Sequence, residues 1–79
     1  MAKFRTAIDL GHKVHFQEGD DLEETLRILR VKVSGTEMHD IDKFVESVHI
    51  TEQPKSSYTR MSIAGETKAK MLSGIKANI

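Results

Sequence analysis

Cysteine and tryptophan are absent from this 79-residue chain, and proline occurs once. Without cysteine there is no disulfide framework and no thiolate metal site. Phe4, Phe16, Phe44 and Tyr58 are the whole complement of Phe, Trp and Tyr, so any core must be mostly aliphatic. Charge of one sign is also missing. Twelve Lys and Arg balance twelve Asp and Glu, which argues against an unselective polyanion binder, since such proteins carry a basic excess. No apolar run approaches the roughly 20 residues of a membrane span. The stretch Met1–Arg5 lacks the apolar segment of about 7–15 residues that marks a secretory signal. The expected setting is therefore the cytoplasm, with no membrane contact.

What is present fits one small α+β domain over residues 1–79. A chain of this size builds a core supplying only about 3–5 kcal/mol of net stability, which gives self-association some prior weight. Phe4–Leu10 alternates apolar and polar residues, and so does Lys13–Gln17, where Val14 and Phe16 share a face. Gly11-His12 supplies the turn between them, so the pair is expected to form a β-hairpin. Leu22–Val33 is ambiguous. Leu22, Leu26 and Leu29 have helical spacing, but Leu29, Val31 and Val33 alternate, and Ile28, Val31 and Val33 are β-branched. The alternation predicts a strand over Thr25–Ser34.

Met38, Ile41, Phe44, Val45 and Val48 follow a helical period and predict an amphipathic helix over 37–48, with Thr36 as its N-cap. Tyr58–Ile63 reads as a strand, and Glu66 to about Ala77 as a closing helix with Met71, Leu72, Ile75 and Ile79 on its apolar stripe. The expected architecture is two-layer, in the order β-β-β-α-β-α.

Arg30–Thr36 and Arg60–Glu66 align without gaps, as if a strand–Gly–helix unit were repeated. Helix N-termini present free N–H groups and a favourable dipole to anions. On that ground Ser34, Gly35 and Thr36, together with Gly65, Glu66 and Thr67, form a candidate phosphate-binding set. Neither turn carries a phosphate-loop or dinucleotide fingerprint, and turn chemistry alone accounts for the glycines. Arg27, Arg30 and Lys32, with Tyr58 and Arg60, form a candidate basic face for a partner or for nucleic acid. The aromatic pattern of an RNA-recognition sheet is missing, so nucleic acid is the less favoured occupant.

Catalytic signals are thin. His12 and His15 straddle the predicted turn, but a metal site needs further ligands such as Asp9 or Glu18, and no metal or cofactor is assigned. The serines lie in no nucleophile elbow, and the chain is read as non-enzymatic. The balanced total charge conceals a separation. Glu18, Asp20, Asp21, Glu23 and Glu24 are clustered, whereas Lys55, Arg60, Lys68, Lys70 and Lys76 face only one acid, Glu66, in the last third. Such polarity suits a charge-guided partner or self-association. The leading expectation is a small interaction module of inhibitor or adaptor type that binds a protein partner. A small phosphate-bearing ligand is the second reading and nucleic acid the third.

Overall fold

The computed structural model describes residues 2–53 and 61–79. Two strands, β1 (Phe4–Asp9) and β2 (Val14–Gly19), form the expected antiparallel hairpin. Gly11 takes a positive φ of 90° in its turn, a conformation that costs glycine nothing. Its N–H donates to the Asp9 carboxylate at 2.8 Å. Leu10 N–H donates to the Lys13 carbonyl at 2.8 Å and closes the loop.

The next segment corrects the sequence reading. Thr25–Ser34 is not a strand. It belongs largely to a helix, α1 (Leu22–Lys32). Leu22, Thr25, Leu26, Leu29 and Val33 are all buried, and their spacing is helical. The alternating set fails at Val31, which is 71% exposed. Weak β-propensity gave way to the burial of one helical stripe. Glu23 and Glu24 in the first turn, and Arg30 and Lys32 in the last, complement the helix dipole.

Gly35, at φ +89°, turns the chain out of α1. A 3-10 turn (Glu37–His39) and a short helix, α2 (Ile41–Ser47), follow. The helix expected over 37–48 is thus split at Asp40. Thr36 caps the 3-10 turn, its hydroxyl accepting from Met38 N–H at 3.1 Å. Asp40 caps α2, accepting from Asp42 N–H at 2.9 Å and Lys43 N–H at 3.2 Å. Those two backbone bonds, Lys43 first, hold the Asp40 carboxyl below its ordinary value of 3.8. The resulting stability is present above that value and lost as pH falls through the lowered one. Asp40→Asn keeps a capping acceptor without the titration. Thermal melts between about pH 5 and pH 2 should therefore show a shallower loss of stability in the variant than in the wild type. Parallel acid limbs would refute the assignment.

Two more strands join the sheet: β3 (His49–Glu52), a strand not expected from the sequence, and β4 (Met61–Ile63). The remainder of the predicted Tyr58–Ile63 strand lies outside the described residues. The strand order is β2-β1-β3-β4, antiparallel throughout. The last helix, α3 (Gly65–Ile75), runs into a 3-10 turn (Lys76–Asn78), close to the predicted Glu66–Ala77. The chain is an α+β fold, with four antiparallel strands and three helices among the described residues.

One cluster forms the core. Phe4 and Ile8 of β1, Ile50 of β3 and Ile63 of β4 meet Leu26, Leu29, Phe44 and Leu72 of the three helices. The helices cover one face of the sheet. The proposed strand–Gly–helix repeat does not persist in three dimensions, because residues 31–32 are helix whereas 61–63 are strand. The matching letters encode two different turns that each need a glycine at positive φ, +89° at Gly35 and +61° at Gly65.

Candidate interaction surface

The hairpin register determines which side chains reach solvent. Phe4 pairs with Gly19, Thr6 with Gln17 and Ile8 with His15. Directly paired residues share a face, so the core-facing row of β1 continues into Gly19, Gln17 and His15. Val14 and Phe16 therefore lie on the opposite face, beside Asp9 and Ala7. Among the described residues no helix covers that side. Val14 is 40% exposed and Phe16 46%. The Arg5 guanidinium sits 4.6 Å from the Phe16 ring centre and its Nε lies 3.6 Å from Glu18 Oε1. An exposed aromatic ring is thus flanked by one charge of each sign.

β2 is also an edge strand. The Leu10–Lys13 bond sets the alternation of the ladder. Ile8–His15 and Thr6–Gln17 bond to each other, while Val14, Phe16 and Glu18 turn their N–H and C=O groups to the free edge. Side chains already occupy part of that edge: Lys32 Nζ donates to the Phe16 carbonyl at 2.9 Å, and Gln17 Nε2 donates to the Glu18 carbonyl at 3.4 Å. Lysine at an exposed edge is a common guard against strand addition.

The basic residues singled out from sequence sit on a helix, not on a strand face. Arg27 and Arg30 turn one way and Lys32 the other. Arg27 Nε donates to the Asn78 carbonyl at 3.3 Å and pairs with Glu23 at 3.4 Å. Arg30 donates to the Ile79 carbonyl oxygen at 2.5 Å and to the His39 carbonyl at 3.2 Å. Together with Val31, Ser34, His39 and Ile79 they line a cleft of ≈ 330 Å³. Ser34, from the anion set, therefore meets two arginines from the basic set. Their guanidinium donors already tie the C-terminal turn to α1 and the 3-10 turn, so the cleft works as a clasp. Tyr58 and Arg60 lie outside the described residues.

The other members of the anion set are separate. The Thr36 hydroxyl donates to the Val33 carbonyl at 2.6 Å, and Thr36 serves its own turn. Gly65 opens α3, with Glu66 and Thr67 exposed in its first turn. Gly65 lines a second cleft of ≈ 250 Å³ between α2 and α3 with Val45, Glu46, Lys68, Ala69 and Leu72. Lys68 Nζ donates there to the Val48 carbonyl at 2.5 Å and the Glu46 carbonyl at 3.3 Å. Partial burial pushes the Lys68 amine below its ordinary pKa, opposed by the Glu46 charge. Its place is that of a C-terminal cap for α2.

Among the described residues no group of three or more His, Asp or Glu side chains is gathered as a metal site. None of the described helices is long and apolar enough to cross a membrane. No family model, curated protein or solved structure matches this chain.

The sequence reading did not single out Phe16 or Val14 as surface residues, yet a signal existed. A two-residue turn at Gly11-His12 pairs even-numbered residues of β1 with odd-numbered residues of β2. The even apolar rows, Phe4/Ile8 and Val14/Phe16, must then face opposite ways.

Proposed function

We propose that this protein is a protein-binding module whose contact surface is the uncovered face of the sheet at β1 and β2. The observation that carries the reading is the exposure of Phe16 together with Val14 on a sheet face that none of the described helices covers. Contact sites tend to centre on an aromatic side chain framed by polar groups, and Arg5 and Glu18 provide such a frame. The arginine cleft supports a phosphate or nucleic-acid ligand less well. A ligand there would have to displace the bonds from Arg27 to Asn78 and from Arg30 to Ile79.

Phe16→Thr tests the proposal. Threonine keeps the β-propensity of an edge strand, and substitution of an exposed side chain should change stability by only about 0.5–1 kcal/mol. The variant should melt close to wild type and lose proteins that the wild-type chain retains in affinity capture. An identical captured set would sink the reading, as would an empty one for both chains from a wild type that is also monomeric at every concentration.

A further inference from the structure

Resting on that reading, we propose that the occupant of the β2 edge is a second copy of this chain. The two β2 strands pair antiparallel about a two-fold axis at Phe16. The outward N–H and C=O groups of Val14, Phe16 and Glu18 give the edge a self-complementary register. Phe16 meets Phe16 of the second copy, and Val14 meets Glu18 of the second copy, once on each side of the axis. β2 offers six residues for this purpose, whereas β4 at the opposite edge offers three among the described residues.

Charge selects both the partner and the direction. Lys13 directly precedes β2, and Asp20 and Asp21 directly follow its last residue, Gly19. Antiparallel pairing sets each basic end against the other copy's acidic end, and symmetry repeats the contact. Parallel pairing would set like charge against like. The two Phe16 rings come together on the uncovered face, where the monomer leaves them half in water.

Lys32 sets the strength of the pairing. Its amine occupies the Phe16 carbonyl, one of the acceptors that the second copy needs. The lysine side chain must swing away before the strands can join. It acts as a competitor for the edge, so removing it favours the dimer.

Sedimentation equilibrium over a concentration series reads the result. The wild type should approach twice the monomer mass as concentration rises. Lys32→Met should shift the dissociation constant about tenfold toward the dimer, as expected for one charge-assisted bond removed from the competing state. Lys13→Glu alone and Asp20→Lys alone should each weaken self-pairing, because each places like charges together at both ends. Mixing those two variants should restore a heterodimer, in which both ends again carry opposite charges. A folding defect cannot produce that restoration. A monomer at every concentration, with Lys32→Met included, would overturn the proposal, as would single variants that dimerise like wild type or a mixture that stays monomeric. A monomeric chain that still captures a different protein through Phe16 overturns self-pairing while leaving the docking-face reading standing.

Discussion

Phe44→Ala should leave most of the chain unfolded at room temperature. Phe44 has no exposed surface and lies in the core with Leu26, Leu29, Ile50 and Leu72. Truncating such a ring removes its transfer free energy and leaves a cavity, at a cost of about 3–5 kcal/mol. A domain of this length has about 3–5 kcal/mol in total, so loss and reserve are comparable. Local structure gives no refuge. α2 has seven residues, too few to persist in water without tertiary contacts, and Phe44 is its one buried residue. Urea titration followed by circular dichroism should show a full transition for wild type and little or none for the variant. Phe44→Leu, which retains most of the apolar volume, should restore a cooperative transition. A loss below about 1 kcal/mol for the alanine variant would show that the core does not close over this ring.

Gly19→Ala should cost about 1–3 kcal/mol, although alanine is ordinarily no worse than glycine in a strand. Gly19 faces the core at the end of β2, under the first half of α1. A Cβ built there would lie 2.3 Å from Thr25 Oγ1, which no pair of real atoms tolerates. Thr25 is 2% exposed, and its hydroxyl donates to the Asp21 carbonyl at 2.6 Å. Relief requires rotating that hydroxyl away from its acceptor or lifting α1 from the sheet. The clash has one owner, so the double variant Gly19→Ala/Thr25→Ala should recover most of the loss. A double-mutant cycle in urea would read the coupling. Additive losses would mean that the two positions do not touch.

Thr25 also shows why part of the fold was hidden in the sequence. The buried stripe of α1 uses a threonine where a hydrophobic scale records a polar residue. Val31 and Ile28, which suggested a strand, are exposed or partly so. Local β-propensity at those two positions outweighed the leucine spacing in the sequence, and tertiary packing reversed the balance. The hairpin was legible because Gly11 and two alternating segments act locally. The 37–48 helix was legible in its apolar positions but not in its break, which depends on Asp40 capping a second start. β3 was missed because it has four residues, begins directly after the C-cap of α2, and buries only Ile50.

The candidate surface was legible in a weaker sense. Arg27, Arg30 and Ser34 do come together, through helical geometry instead of the strand that suggested them, and their donors are already in use. The two conspicuous glycines turned out to mark unrelated turns. Phe16 and Lys32, the residues that matter most to the proposed contact, follow from loop parity and from an edge that is fixed only once strand order is known.

The position of β1 in the strand order also bears on how the protein is made. β1 precedes β2 and β3 in the chain, but it is flanked by β2 on one side and by β3 on the other. Arg5 pairs with Thr51 across a sequence separation of 46 residues. A growing chain therefore completes its hairpin early and then holds the inner side of β1 unpaired while roughly 30 more residues are added, about 2–6 s at ordinary elongation rates. Closing that long loop is the slow entropic step. During this interval a nascent chain exposes both long sides of its hairpin, so crowded ribosomes on one message are where unwanted strand exchange between neighbours would begin.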